Sequence, residues 1–252
     1  QKPVTIGVCQ SKSCRRLNSR DTLRIFRDFT TSTTPTPLVF VEESGCMGSC
    51  GAGPNVVASA SGRVFNAAAK PGTVAAILAI EADVDIPDSI VSAYATAAEG
   101  RQCSGKAAIE RFDDALRIAA SELKNYPAVE VTIRVGRAEA LTAAARSCDS
   151  AAAASSLLRQ ATIEALRVVR LEGTRPRSWW ALKDAFKASG RRRSELDALF
   201  GLLRNVQDVA VEEAGEQLAN RGARNSAQEE ARQLCAVGEG LGSHPMCLLL
   251  GS

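Results

Sequence analysis

Two closely spaced pairs of cysteines near the start of this chain limit its fold more than any other feature. The pairs are Cys9-x4-Cys14 and Cys46-x3-Cys50, and each follows a short apolar run that predicts a strand. Such paired spacing is typical of metal or cluster ligation. Because a sheet would bring both loops to one edge, we predict that the four thiolates converge on a single site.

Four converging thiolates suit an iron–sulfur cluster, in which two cysteines hold each iron of a [2Fe-2S] rhomb. Four glycines around the second pair allow tight bends and let backbone N–H groups approach the inorganic sulfides. Three cations near the first pair would offset the negative charge of the cluster or guide an acidic partner. The glycines are Gly45, Gly48, Gly51 and Gly53, and the cations are Lys12, Arg15 and Arg16.

Other interpretations of the four thiols stay open. A structural Zn(Cys)4 site is compatible with them, although zinc sites more often use tighter pairs. Two disulfides would suit a secreted chain, but the sequence has no recognisable secretion signal. A dithiol oxidoreductase would need C-x2-C at a helix start, and this motif is missing. Outside these pairs, we predict ordinary thiols at Cys103, Cys148, Cys235 and Cys247, and a loop residue without a catalytic role at His244.

Residues 3–82 have the pattern of a small α/β unit. Alternating apolar residues predict a first strand, a β-branched run predicts a buried second strand, and the Ser61-Gly62 turn predicts a hairpin of two more. The Thr/Pro run from Thr30 to Pro37 predicts a connector, because proline ends helices. The element order is therefore β-α-β-β-β-α. The predicted strands lie at 4–8, 38–41, 55–60 and 63–67, and the predicted helices are capped by Ser19 and Thr73.

This unit resembles the thioredoxin-like [2Fe-2S] ferredoxin family, which includes the small subunit of the NADH-oxidising module of respiratory complex I. The resemblance rests on the two cysteine spacings, the element order and the string CMGSCGAGPNVV at 46–57, and it covers residues 3 to about 82. It implies a thioredoxin-like sheet flanked by helices, a [2Fe-2S] cofactor and one-electron transfer. The cluster and metal ligands that it implies are Cys9, Cys14, Cys46 and Cys50.

From about residue 87 the strand patterns stop, and Ala, Leu, Arg and Glu dominate. Apolar residues recur three and four positions apart, which predicts helices with one apolar face. Short loops divide this half into helices that can pair as antiparallel hairpins. The predicted loops lie at 100–105, 125–127, 148–150 and 173–176.

Part of the helical half resembles a tetratricopeptide repeat. Trp179, Leu182 and Phe186 have the spacing of its first helix, Gly190 falls at the turn, and 194–203 supply the second helix. The sequence departs from the pattern in two places, with Lys183 where the repeat prefers Gly and Glu195 where it prefers Ala. An unclassified helical bundle is the alternative.

These observations predict an α+β/α fold class, with a thioredoxin-like [2Fe-2S] ferredoxin domain followed by an all-α, tetratricopeptide-like domain of helical hairpins. The predicted ferredoxin domain covers 1–84 and is followed by a linker at 85–105. The helical domain covers 106–225, and 226–252 form a C-terminal tail.

Composition excludes several classes of function. The chain has 31 Lys and Arg against 28 Asp and Glu, and its net charge of +3 is too small for a protein that coats nucleic acid. No run of about 18 apolar residues without charge is present, so we expect no transmembrane segment. We find no nucleophile–base pair and no phosphate-binding glycine loop before a helix. We therefore predict an electron carrier or accessory subunit and not a stand-alone enzyme.

We predict a [2Fe-2S] electron-transfer subunit whose helical domain binds protein subunits of a larger redox complex, peripheral to a membrane. The alternative is a structural or assembly subunit in which the cluster, or zinc, only stabilises the fold. The chain starts at Gln1, and a removed targeting segment would explain the missing initiator Met. This favours an organelle, with a plastid photosynthetic complex at the thylakoid preferred over a mitochondrial one.

Overall fold

A computed structural model describes residues 3–33, 38–205, 214–237 and 244–250 of the chain. These residues form a mixed α/β protein, and the prediction is confirmed at that level. They divide into two compact units. The first unit comprises Gln1–Ala98 and Asp114–Thr132, and the second comprises Glu99–Asp113 and Ile133–Ser252.

The first unit contains a four-stranded sheet, with strands β1 (Val4–Cys9), β2 (Val39–Ser44), β3 (Val56–Ala58) and β4 (Val64–Phe65). Their spatial order is β2-β1-β3-β4. Strand β1 runs parallel to β2 and pairs Cys9 with Ser44, while β3 is antiparallel to both of its neighbours. The predicted hairpin is confirmed, with Gly62 at φ +70° in the turn between β3 and β4.

Two helices connect β1 to β2, since parallel strands need a crossover. They are α1 (Lys12–Arg16) and α2 (Ser19–Thr30). Helix α2 packs on both strands, and Phe26 and Phe29 on its apolar face are fully buried. Half of the predicted Thr/Pro connector, 34–37, lies outside the described residues.

Both predicted helix caps are placed differently in the structure. Helix α2 starts at Ser19 itself, after Asn18 in the left-handed conformation. Helix α3 (Pro71–Ala82) starts two residues before Thr73, because Pro71 occupies its first turn. The fixed φ angle of proline suits that position, and its missing N–H costs nothing there.

The predicted linker at 85–105 contains a helix, α4 (Asp88–Gly100), so the structure differs from the prediction here. Ile90 and Tyr94 on α4 are buried in the first unit. The Tyr94 ring meets Phe29 edge-on at 5.5 Å between centroids, and its hydroxyl donates to Asp28 Oδ2 at 3.0 Å. Because α4 supplies part of the core, the first unit extends past the predicted boundary at residue 84.

The remaining elements of the described residues are helices, and the predicted loops lie between consecutive helices. None of the described helices combines the length and the apolar character needed to cross a bilayer. A short 3-10 turn, Leu123–Asn125, precedes α6. The helices are α5 (Gly105–Ile118), α6 (Pro127–Arg146), α7 (Ala151–Leu171), α8 (Pro176–Ala188), α9 (Arg192–Asn205), α10 (Ala214–Val237) and α11 (Pro245–Leu250).

Helices α8 and α9 form the hairpin that the repeat-like segment predicts. Gly190 takes φ +68° in the turn between them. The two helices cross closely at Gly201, where an added Cβ would lie 2.2 Å from the Trp179 ring. The indole N–H of Trp179 donates to the carbonyl of Gly173 at 2.6 Å. Trp179 is therefore a packing residue of the second unit.

The predicted tail at 226–252 contains the second half of α10 and all of α11. Ala227, Ala231 and Met246 are buried against α9. A disulfide joins Cys235 on α10 to Cys247 on α11. The prediction of ordinary thiols at these two cysteines was wrong, because the fold brings together residues whose spacing carries no pairing signal.

Candidate metal centre

The first cysteine pair lies where β1 meets α1. Cys9 is the last residue of β1, and its backbone N–H donates to the carbonyl of Asn55 at 2.9 Å. Cys14 lies in α1. Both thiols are buried, and Cys9 Sγ donates to Ser11 Oγ at 3.2 Å. The strand end and the following helix therefore hold this pair on a well-packed side of the site.

The second pair lies in the loop that follows β2, next to β1 in the sheet. Cys46 and Cys50 are both exposed, and their Sγ atoms are 3.4 Å apart. The side-chain amide of Asn55 donates to the carbonyl of Ser49 at 2.9 Å and ties this loop to the start of β3. One pair is thus sheltered and the other faces solvent.

Three of the four predicted glycines have a specific role in this loop. Gly48 and Gly51 take φ +83° and +97°, which side-chain-bearing residues rarely adopt. At Gly53 an added Cβ would lie 2.7 Å from Cys14 Sγ. Gly45 shows neither feature, since a Cβ there would meet no atom of the described residues within 4 Å. The structure therefore gives no physical reason for the predicted role of Gly45.

The thiols influence one another. Burial acts to raise the pKa of Cys9, but hydrogen bonds with Ser11, with the Cys14 thiol and with the backbone N–H of Met47 outweigh it and lower that pKa. The hydrogen bond and the charge of Cys46 raise the pKa of Cys50, with smaller contributions from burial and from the charges of Cys14 and Cys9. A bound metal cation would balance the negative charge of neighbouring thiolates at such a site.

The part of the chain that the structure describes contains no group of three or more His, Cys, Asp or Glu side chains arranged to hold a metal ion. A [2Fe-2S] rhomb does not require such a group, because each iron takes two thiolates. Two thiolates on one tetrahedral metal, at a metal–sulfur distance of about 2.3 Å, lie about 3.8 Å apart. The Cys46–Cys50 separation of 3.4 Å is close to that value.

The other candidate residues lie away from this loop region in the chain. Cys103 and Cys148 are free thiols in the second unit. His244 precedes α11, is buried, and contacts Asp197 through Nε2 at 3.1 Å. Its Nδ1 accepts from the Met246 N–H at 3.1 Å, so His244 has a local structural role.

Sequence reasoning missed two polar residues of the site, Ser11 and Asn55. Ser11 contacts the Cys9 thiol, and Asn55 connects both cysteine loops through its backbone carbonyl and its amide. Their positions in the sequence give only a weak indication of a role at the site. Ser11 lies between the cysteines of the first pair, and Asn55 lies two residues after Gly53. Only the folded geometry shows which atoms they bind.

Comparison with known proteins gives no family for this chain. No family model matches it, and no curated protein or solved structure matches it either.

Proposed function

We propose that this chain is a [2Fe-2S] cluster-bearing electron-transfer subunit. The observation that carries the proposal is the placement of two thiol pairs at one edge of the sheet, with the Cys46 and Cys50 Sγ atoms 3.4 Å apart. Cys9 and Cys14 would hold one iron and Cys46 and Cys50 the other. Two separate pairs favour this cluster over a zinc ion, which needs all four thiolates around one centre.

The fold around the thiols supports the same proposal. The order β1-α1-α2-β2-β3-β4-α3, with a parallel pair followed by an antiparallel hairpin, is compatible with a thioredoxin-like ferredoxin domain. The glycine loop at 48–53 leaves room beside Cys14 for backbone to approach inorganic sulfide. The α8–α9 hairpin supports a tetratricopeptide-like second unit, whose stacked helices would bind other subunits of a redox complex.

When bound, the cluster supplies one-electron transfer, and the chain's own residues set the conditions for it. Cys9 and Cys14 are buried, so one side of the site is shielded from water. Cys46 and Cys50 are exposed, so the other side of the site faces solvent. The hydrogen bonds that Cys9 makes with Ser11 and with the Met47 N–H lower the pKa of the Cys9 thiol, which favours the thiolate that ligation needs.

The experiment is anaerobic purification of the full chain followed by iron and sulfide analysis and EPR before and after dithionite. We expect two irons and two sulfides per chain, as a [2Fe-2S] cluster requires, and a rhombic signal that appears on reduction. Cys46→Ser should lose the signal, while Cys148→Ser, a free thiol of the second unit, should keep it. Zinc, or metal-free thiols in the wild-type chain, would overturn the proposal.

A structural role for the cluster is the second candidate, because β3 and β4 are only three and two residues long. So short a hairpin buries little surface, and a cluster between two loops would stabilise the unit without changing oxidation state. Electron transfer requires a reversible redox couple, whereas a structural cluster does not. Under the structural interpretation Cys46→Ser should unfold the first unit and abolish assembly. Location in a plastid photosynthetic complex stays a prediction.

A further inference from the structure

A second surface lies beside the candidate cluster site. Among the residues that the structure describes, four cations and one amide line a concavity of about 620 Å³ in the first unit, and no carboxylate does. All four cationic side chains are exposed. This surface, called the basic concavity below, consists of Gln10, Lys12, Arg15, Arg16 and Arg20.

The cations of the basic concavity have no counter-ions within the described residues. The nearest carboxylate along the chain, Asp21, is paired with Arg24 at 2.6 Å. Like charges held close together without counter-ions repel one another and lower the stability of the fold. The basic concavity therefore costs the isolated protein stability, and a bound anionic partner would reduce the repulsion between its cations.

The geometry of the basic concavity is held in place by local contacts. Gln10 is buried, its amide donates to the Ser19 carbonyl at 3.2 Å, and the Ser19 hydroxyl donates to its Oε1 at 3.3 Å. Asn18, at φ 66°, makes the sharp turn that places the start of α2 beside α1. These contacts hold the backbone so that Arg20 lines the same concavity as Arg15 and Arg16.

The basic concavity is adjacent to the thiols in sequence and in structure. Gln10 follows Cys9 at the end of β1, and Arg15 follows Cys14 within α1. An anionic surface bound there would lie next to the buried thiol pair. Electrostatic attraction at such a point guides a partner to the correct orientation and raises the association rate.

We propose that the basic concavity binds the acidic surface of a protein that exchanges electrons with this chain. The inference rests on the proposed cluster and names the chemistry of its partner. A protein carboxylate surface fits better than nucleic acid, because the whole chain carries only +3 and the four cations are confined to one small concavity. A few carboxylates on the partner protein would match the four cations of the basic concavity.

The first test measures oxidation of the dithionite-reduced protein by a small anion, hexacyanoferrate(III), and by a small cation, hexaammineruthenium(III). Each oxidant accepts one electron from the reduced protein and needs no other reactant. We expect the anion to react faster at low salt and to slow about tenfold between about 20 mM and about 0.5 M salt, because salt screens the attraction. The cation should show the opposite trend.

The variant for this test is the double charge reversal Arg15→Glu with Arg16→Glu. Its control is Arg146→Glu with Arg170→Glu, two exposed arginines in the last turns of α6 and α7. Both double variants change the net charge equally. We expect only the first to lose the salt dependence with hexacyanoferrate(III), and equal losses in both would overturn the proposal.

A second test does not need the cluster. A fluorescein-labelled Glu-rich peptide is titrated with the protein as purified, and its anisotropy is followed at low salt. We expect binding by the wild type and the control variant, and binding at least about fivefold weaker for Arg15→Glu with Arg16→Glu. Tighter binding to a short DNA strand or to phosphatidylserine vesicles than to the peptide would overturn the proposal. Missing iron in the purified chain would instead overturn the proposed function. The peptide titration would still show whether the basic concavity binds an acidic surface.

Discussion

A methyl group on Gly53 would lie 2.7 Å from the Sγ atom of Cys14, in contact with α1 from the opposite cysteine loop. The same methyl would lie 3.5 Å from the Cys14 Cα, which is ordinary van der Waals contact, so the clash is with the thiol. The loop that carries Cys46 and Cys50 therefore closes tightly against the first thiol pair. The two cysteine loops of the candidate site therefore meet at Gly53 and Cys14.

Gly53→Ala should consequently displace the Cys14 thiol. We expect overpacking to cost about 1–3 kcal/mol of unfolding free energy and to lower iron content well below that of the wild type. Gly45→Ala is the matched control, because in the part of the chain that the structure describes a Cβ at Gly45 would meet no atom within 4 Å. Iron and sulfide analysis after anaerobic purification measures the effect. Equal iron in both variants would show that the Gly53 contact does not shape the site.

The small sheet could be predicted from sequence because its signals are local. The turn at Gly62 and the alternating apolar residues before Cys9 predict a hairpin and a first strand, and the structure contains both. The spatial order of the strands has no such local signal, because β1 pairs with β2 and β3 through contacts between residues that are far apart in the chain. The order becomes visible only in the folded sheet.

The buried carboxylate of Asp28 connects three helices of the first unit. Its Oδ2 accepts from the Thr132 hydroxyl at 2.7 Å and from the Tyr94 hydroxyl at 3.0 Å. Asp28→Ala would leave both hydroxyls without this acceptor and open a small cavity. We expect a loss of about 2–3 kcal/mol of unfolding free energy, measured by urea unfolding followed by circular dichroism.

Tyr94→Phe is the graded control for Asp28. It keeps the edge-on contact with Phe29 and removes only the hydroxyl. We expect a loss of about 1 kcal/mol, smaller than that of Asp28→Ala. The Tyr94 hydroxyl also accepts from Arg24 Nε at 3.3 Å, so Tyr94→Phe removes this bond together with the bond to Asp28. Equal costs for the two substitutions would contradict the larger contribution expected of Asp28.

The disulfide between Cys235 and Cys247 fixes the number of free thiols. Six cysteines are free. After removal of metal and unfolding without reductant, the chain should therefore react with six equivalents of a thiol reagent, and with eight after reduction. Cys247→Ser should give seven without reductant, whereas Cys148→Ser should give five. Eight thiols in the unreduced wild type would contradict the disulfide.

The same disulfide shows where sequence reasoning stops. Cys235 and Cys247 are 12 residues apart, which matches no ligand or redox motif. They meet because α11 packs back on α10 and α9, where Met246 is buried. The 12-residue separation of the two cysteines does not predict that α11 packs against α10 and α9. The disulfide therefore becomes evident only from the packing of the helices.

The Glu195 side chain gives the second unit a pH-dependent stability. Glu195 is 3% exposed, and its Oε1 has no hydrogen-bond partner within the described residues. Burial raises its pKa, and the charges of Glu230 and Asp184 act in the same direction, whereas Lys187 and Lys183 act to lower it. Between the unfolded and folded pKa values the folded state therefore binds more protons, so stability falls as pH rises through that window.

Glu195→Gln should remove this dependence, because the amide does not ionise. We expect the variant to match the wild type within about 0.5 kcal/mol near pH 4 and to be more stable by about 1–2 kcal/mol near pH 8. Glu229→Gln is the control, since Glu229 is 61% exposed and its replacement changes the net charge equally. Urea unfolding across this pH range measures both variants. If the stability of Glu195→Gln depends on pH in the same way as that of the wild type, the buried carboxyl must find a partner when it ionises.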